Sequence, residues 1–144
     1  MAVTVKAIRL WRMELENKPG ALANMLEPLA RAGADLHVVM AYRYHGHESK
    51  AAIEIFPVSG KKARAAAQAA GLHETSIPVL LVEGHNKPGL GYAMTKAIAD
   101  AGINMAFLVT QVIGEKYSAV CGFEKEEDSR KASALIKKAT AGRG

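Results

Sequence analysis

The motif Asn-Lys-Pro-Gly occurs twice in this chain of 144 residues, at positions 17–20 and 86–89. The offset of 69 residues between the two copies also places Ala32-Gly33 on Ala101-Gly102, with no gap in either segment. A chance match of four residues would not extend in this way. Self-similarity at one fixed offset is typical of a chain that is built from repeated structural units.

The repeat divides the chain into two predicted units, residues 1–74 and 75–144. Hydrophobic residues make up 49% of the sequence and charged residues 23%, a balance that favours a folded chain over a disordered one. A unit of about 70 residues has only a marginal hydrophobic core of its own. We therefore expect the two units to pack together or to dimerise.

Both units show the same order of predicted elements. Strand-like runs at residues 7–15 and 77–82 precede the two motifs, and each motif ends its strand. Apolar residues at helical spacing follow each motif as far as Gly33 and Gly102, which suit a left-handed C-terminal cap. The remaining predicted elements are two strands and a helix in each unit, at residues 36–44, 51–57 and 61–70 in the first and at residues 105–113, 116–123 and 129–141 in the second.

Local signals modify two of the predicted helices. Pro28 lies inside the first one, where it removes a hydrogen bond to Asn24 and costs roughly 3 kcal/mol, so we expect a kink or a shorter helix. The last helix would be capped by Asp128 or Ser129 and would end at Gly142. The acidic run at residues 124–128, which precedes this helix, is expected to be a solvated loop.

The order strand, helix, strand, strand, helix, strand is the split βαβ arrangement of ferredoxin-like folds. We therefore predict an α+β chain of two ferredoxin-like βαββαβ units in tandem, with antiparallel sheets and with helices on one face. Residues 73–76 would form the last strand of the first unit, whereas the second unit lacks its own last strand. Residues 3–8 are expected to supply it, because an uncovered sheet edge promotes aggregation.

The segments ENKPGALANMLEPLARAGADL and HNKPGLGYAMTKAIADAGINM resemble ACT domains, the small ligand-binding modules of amino-acid metabolism. The resemblance covers nearly the whole chain as two copies. It implies that the residue after Ala-Gly-x, which is Asp35 in the first unit and Asn104 in the second, reaches a ligand across a domain interface. Asn104 is closer to the family's amino-acid site, whereas Asp35 would help to bind an ammonium group or would repel a carboxylate.

The motif also has a physical basis as a site for a carboxylate. A helix N-terminus exposes unpaired N–H groups and the positive end of the helix dipole. Pro19 and Pro88 would fix the turn that directs each helix, and Gly20 and Gly89 have no Cβ, so a ligand can approach the backbone there.

Two further residue types suit an amino acid as the ligand. Asn17 and Asn86 can both donate and accept hydrogen bonds, and an amino acid needs donors for its carboxylate and acceptors for its ammonium group. Gly91 offers another open position where the first unit has Leu22, so the second unit is the favoured site. The predicted ligand-binding residues are Asn86, Lys87, Pro88, Gly89, Leu90, Gly91 and Asn104 in the second unit and Asn17, Pro19, Gly20, Ala21 and Asp35 in the first.

The remaining residues with metal-binding or reactive side chains are not predicted to form a site. The polar stretch at residues 45–50, predicted as a hairpin loop, contains His45, His47 and Glu48, whose side chains are of metal-binding types. The other histidines are scattered, so we predict no metal site and no cofactor. The single cysteine, Cys121, lies in an apolar run and is predicted as a core residue.

Nucleic-acid binding is not expected, although two features allow it. The formal net charge is +5, but the basic residues are scattered and form no long run. Trp11 and Phe107 would lie on sheet faces, where aromatic side chains stack bases in RNA-recognition domains. The aromatic signature that those domains need in their third strand is absent here.

The sequence thus predicts a regulatory protein and not an enzyme. It would sense a small molecule, most simply an amino acid, at domain interfaces and act through a protein partner or an assembly. Three alternatives stay open: a ligand-free oligomerisation or interaction module, a transcription-regulating protein associated with nucleic acid, and an enzyme subunit whose catalytic chain is encoded separately.

The expected assembly is a homodimer, because apolar strands such as IPVLLV would otherwise leave an exposed edge or face. No apolar run reaches the roughly 20 residues of a membrane span. No signal peptide is recognisable, and one cysteine suits a reducing compartment, so a cytoplasmic location is expected.

Overall fold

The computed structural model describes residues 3–141 of the chain. The chain forms two compact units, which we call the first unit (residues 9–76) and the second unit (residues 1–8 together with 77–144). The division lies close to the predicted boundary between residues 74 and 75, but the first eight residues group with the second unit. In chain order the elements are β1 (Thr4–Ile8), β2 (Trp11–Glu16), α1 (Ala21–Arg31), β3 (Val38–Tyr44), β4 (His47–Phe56), α2 (Lys61–Ala70), β5 (His73–Glu74), β6 (Val79–His85), α3 (Leu90–Asp100), β7 (Met105–Ile113), β8 (Lys116–Phe123) and α4 (Glu126–Thr140).

The first unit is a four-stranded antiparallel sheet with the strand order β3-β4-β2-β5. Alternate residues of β2 and β4, such as Trp11, Ile53 and Ile55, point to the same face and pack against Met25 and Leu29 of α1. Helix α2 contributes alanines to the same core. The predicted ferredoxin-like arrangement, with helices on one face of the sheet, is confirmed.

The second unit has the strand order β1-β6-β8-β7 and is also fully antiparallel. Strand β1 pairs along β6 from Thr4 opposite Glu83 to Ile8 opposite Val79. The prediction that the N-terminal segment supplies the missing edge strand is therefore confirmed. The core between the sheet and helices α3 and α4 consists of Val3, Leu80, Val82, Leu90, Met94, Ile98, Tyr117, Ala119, Cys121, Phe123, Ala132 and Ile136.

Strand β6 is an interior strand. The prediction that IPVLLV would leave an exposed edge or face, and would therefore require a homodimer, is wrong. Residues 79–82 are buried on both faces of the strand, and this explains why IPVLLV is continuously hydrophobic and does not alternate. Because β1 and β8 flank β6, that strand leaves no open edge. The exposed apolar residues lie instead on β7, at the opposite edge of the sheet; they are Leu108, Val109, Val112 and Ile113.

Several element bounds differ from the predictions. The run at residues 7–15 is not one strand, because the chain leaves β1 after Ile8 and enters β2 at Trp11. The loop at residues 45–50 shrinks to a two-residue turn at His45-Gly46, where Gly46 has a φ of 80°. The acidic run at residues 124–128 is only partly a loop, because α4 begins at Glu126 and not at Ser129. Acidic side chains in the first turn of a helix interact favourably with its dipole, which accounts for the earlier start.

The other helix signals have mixed outcomes. Helix α1 continues through Pro28 to Arg31 and is not shortened. The positive φ values of Gly33 and Gly102 confirm the predicted C-terminal caps, and Gly71 ends α2 in the same conformation. Gly142, the predicted end of α4, lies outside the described residues. No helix within residues 3–141 has both the length and the apolar character that a membrane span requires.

The pairing of β1 with β6 predicts that the second unit depends on the first residues of the chain. Deletion of residues 2–8 removes the buried side chains of Val3 and Ile8 and uncovers β6. We expect a loss of about 3 kcal/mol or more in the free energy of unfolding, measured by urea denaturation and circular dichroism. The control Ala7→Ser, at an exposed position of β1, should change the urea midpoint little. An unchanged midpoint for the deletion would show that β1 contributes no stability.

Candidate ligand site at the helix N-termini

The first motif forms a tight loop between β2 and α1. Gly20 adopts a φ of 86°, a left-handed conformation that strains any side chain, and the Lys18 carbonyl accepts a hydrogen bond from the Ala21 amide at 3.3 Å. The Asn17 side-chain amide donates to the Glu48 carbonyl at 2.6 Å, while its backbone amide donates to the Ser49 carbonyl at 2.9 Å. The Asn17 side chain therefore anchors the loop to β4.

The second motif forms the same loop between β6 and α3. Gly89 adopts a φ of 85°, and the Lys87 carbonyl accepts from the Leu90 amide at 3.2 Å. The Asn86 backbone amide donates to the Glu115 carbonyl at 2.7 Å, as Asn17 does to Ser49. Within residues 3–141 the half-buried Asn86 side chain makes no hydrogen bond, so it is available to a ligand where that of Asn17 is partly used.

Both helices begin with unpaired backbone donors. In the described part of the chain, the amides of Leu22 and Ala23 in α1 and of Gly91 and Tyr92 in α3 have no hydrogen-bond partner. Neither helix has an acidic residue in its first turn or a side chain that caps its N-terminus. The positive ends of both helix dipoles are thus uncompensated, and a carboxylate would be stabilised at either end.

Two open cavities border the loop of the first unit. One, of about 630 Å³, is lined by residues 14–18 of β2 and its loop together with Ser49 and Lys50 of β4. The other, of about 210 Å³, lies beside the first turn of α1 and the edge strand β3, and its lining includes Asn17, Leu22 and Arg43. No local sequence pattern indicates Arg43, because its position beside the loop depends on the strand register, in which Leu15 and Arg43 both pair with Ala51.

In the second unit a tyrosine from β8 lies under the first turn of the helix. Tyr117 is only 3% exposed, and its hydroxyl oxygen is buried without a hydrogen-bond partner among the described residues. A methyl group built on Gly91 would lie 3.5 Å from that oxygen. The larger Leu22 occupies the corresponding position of the first unit, where β4 has Ala51 at the position of Tyr117.

Two predicted ligand residues lie far from the loops within their own units. Strands β2 and β3 both pair antiparallel with β4 and therefore run parallel to each other. Asn17 follows the end of β2, whereas Asp35 precedes the start of β3, at the other end of α1. A helix of 11 residues is about 16 Å long, so the two side chains do not meet within one unit.

The same topology separates Asn86 from Asn104 by the length of α3. Both Asp35 and Asn104 are exposed. Nε2 of His37 lies 3.3 Å from Oδ2 of Asp35. A role for Asp35 or Asn104 in binding therefore requires a ligand that bridges two different units.

The possible metal ligands of the hairpin do not converge. His45 lies in the turn between β3 and β4, whereas His47 and Glu48 are consecutive residues of β4, whose side chains point to opposite faces. No group of three histidine, cysteine, aspartate or glutamate side chains within residues 3–141 is arranged to hold a metal ion.

The helix-free face of the first unit holds a polar cluster. Arg12 donates a hydrogen bond to the Tyr44 hydroxyl and lies over its ring, and Tyr42 donates to the Glu54 carboxylate at 2.8 Å. Burial, and then this hydrogen bond, raise the pKa of Tyr42. Trp11 is not part of this face, because it is buried in the core of the first unit.

Known structures share this fold, although no protein-family model and no curated protein sequence matches the chain. Protein BT0572 from Bacteroides thetaiotaomicron superimposes with a TM-score of 0.72 at 16% sequence identity, over 92% of this chain and 98% of that one. The ligand-free regulatory subunit of aspartate kinase from Thermus thermophilus has a TM-score of 0.64 at 15% identity, over 96% of this chain and 97% of that one. The chain has the tandem ACT-domain fold.

In the aspartate kinase from Clostridium acetobutylicum, the same fold forms one part of a longer chain. It has a TM-score of 0.62 at 14% identity, over 96% of this chain but only 34% of that one. This chain therefore corresponds to about a third of that enzyme. At these identities the likeness concerns the fold of the ACT units.

The buried cysteine of the second ACT unit gives a prediction about reactivity. Burial raises the pKa of Cys121 to about 12, so the thiol is neutral in the folded protein at pH 8. We expect no reaction with Ellman's reagent at pH 8 in buffer and complete reaction in guanidinium chloride. The raised pKa also means that this group's contribution to stability is full below about pH 9 and is lost as the pH rises toward 12. Rapid reaction in buffer would contradict a core position.

Proposed function

We propose that the chain is a regulatory protein without catalytic activity that binds an amino acid at the N-termini of α1 and α3. The observation that carries this proposal is the repeated loop with its left-handed glycine, which leaves two unpaired amides at the start of each helix, with no acidic residue in the first turn. These groups match the α-carboxylate of an amino acid, because backbone donors at a helix N-terminus bind anions without a counter-charge.

The second unit offers the fuller set of contacts for such a ligand. The free side chain of Asn86 presents an oxygen that can accept a hydrogen bond from an ammonium group. Lys87 has no ion-pair partner in the described part of the chain, so it adds positive charge beside the amides. Asn104 of a second copy of the chain would complete the site across an interface, as the ACT resemblance implies.

The structural neighbours support a regulatory role. The Thermus neighbour is the regulatory subunit of a kinase, and the Clostridium neighbour is described as an allosteric enzyme. We propose that this chain likewise binds a ligand and shifts the activity of a partner, which requires different ligand affinities in two states. The cytoplasmic location stays a prediction.

An exposed apolar edge favours a homodimer as the assembly. Strand β7 is an edge strand of nine residues without a charge, and its side chains Val112 and Ile113 are 49% and 68% exposed. Natural edge strands are usually protected by charges, proline or a covering element. This edge also favours the second candidate, a ligand-free oligomerisation module, which the binding experiment below distinguishes.

Charge placed in the first turn tests the binding proposal. Ala23→Glu in α1 and Tyr92→Glu in α3 should each stabilise their helix by roughly 0.3–1 kcal/mol and yet weaken amino-acid binding, because the new carboxylate repels the ligand's carboxylate. We expect a loss of affinity of about tenfold or more, about 1.4 kcal/mol, by isothermal titration calorimetry with the twenty common L-amino acids. The neutral controls Ala23→Gln and Tyr92→Gln should bind nearly as the parent does.

Two results would count against the proposal. Equal affinities of the glutamate and glutamine variants would place the ligand away from the helix N-termini. Binding of none of the amino acids by the parent protein would favour the ligand-free oligomerisation module.

A charged edge tests the assembly. The double variant Val112→Lys, Ile113→Lys should be monomeric in size-exclusion chromatography with light scattering at a concentration where the parent protein is a dimer, because unpaired lysines prevent strands from pairing. The control Ala134→Lys adds a charge at an exposed position of α4 and should stay dimeric. A dimeric double variant would place the interface elsewhere.

A further inference from the structure

We infer that Tyr117 is a ligand-binding residue of the second unit, whose hydroxyl hydrogen-bonds the carboxylate of a ligand held at the N-terminus of α3. The inference rests on the proposed function and adds a residue from a different element to it. Its basis is the meeting of two unsatisfied sets of donors, the Tyr117 hydroxyl and the amides of Gly91 and Tyr92.

The strand register fixes the position of the tyrosine. Tyr117 pairs with Gly84 of β6 on one side and with Val112 of β7 on the other, and its ring belongs to the core beneath α3. The hydroxyl oxygen lies at the second residue of the helix, because a Cβ at Gly91 would be only 3.5 Å from it.

Packing alone does not explain the hydroxyl. A buried polar group without a hydrogen-bond partner destabilises the folded state, and phenylalanine would fill the same volume without that cost. The first unit has no such residue, since the position of β4 that corresponds to Tyr117 by strand pairing is Ala51, opposite Leu15 as Tyr117 is opposite Gly84. The second unit thus carries an unsatisfied donor at the place where a carboxylate is proposed to bind.

The burial of the hydroxyl also implies a movement. Because the oxygen is closed to solvent, a ligand can reach it only if the first turn of α3 shifts relative to β8. Gly89 and Gly91 lie on either side of Leu90 at this turn and can absorb a backbone change. Ligand binding would then be coupled to the packing of α3 on the sheet, which is a route by which the second unit could signal.

The variant Tyr117→Phe tests the inference, in a background of Ala23→Glu that weakens the first site. We expect a higher melting temperature of the ligand-free protein, because the unsatisfied hydroxyl is gone. We also expect at least about tenfold weaker binding of whichever of the twenty common L-amino acids binds the parent, measured by calorimetry. A purely structural hydroxyl would change the melting temperature and leave the affinity unchanged.

The control is Tyr44→Phe in the same background. It removes the hydroxyl that accepts from Arg12 on the helix-free face of the first unit, so it should lower the melting temperature and leave the affinity unchanged. Equal affinity of Tyr117→Phe and its parent would overturn the inference while the proposed function stands. If no amino acid binds the unmodified protein, the proposed function fails, and the inference fails with it.

Discussion

The pairing of β1 with β6 is the contact on which the second unit depends. The chain places its first strand in the sheet that its last 68 residues complete, so β6 becomes an interior strand and its run of four buried residues is covered. Without this pairing, β6 would present both unpaired backbone groups and an apolar strand to water. The edges of this sheet are then β1 and β7, and β7 is the one that carries exposed apolar side chains and no charge.

The two loops have the same backbone but different free groups. Gly20 and Gly89 adopt φ values within a degree of each other, and each loop is fastened to the following hairpin by one backbone hydrogen bond. The difference lies in the side chains, because that of Asn17 is used to hold the loop and that of Asn86 is free. The asparagine side chain thus has a structural role in the first loop, whereas in the second loop it is available to a ligand.

Much of the fold could be predicted from local sequence signals. The features that could not be predicted depend on contacts between strands that are distant in the sequence. The motif, the glycine caps and the hairpin at Gly114-Glu115 act within a few residues, so α2, β7 and β8 have the predicted bounds. The positions of Tyr117 and Arg43 follow from strand register, which no local pattern encodes. The predicted start of α4 at Ser129 is wrong because the acidic residues just before it form the first turn of the helix, where the helix dipole favours them.

A folded protein can keep an unsatisfied donor only if the rest of its core compensates for the cost. The second unit provides such a core, since residues as far apart as Val3 and Ile136 belong to the same hydrophobic core as Tyr117. Stability gained through β1 therefore offsets a hydroxyl that would be better satisfied with a ligand present. Weakening the β1–β6 pairing should therefore make the unsatisfied hydroxyl of Tyr117 harder to hold in place.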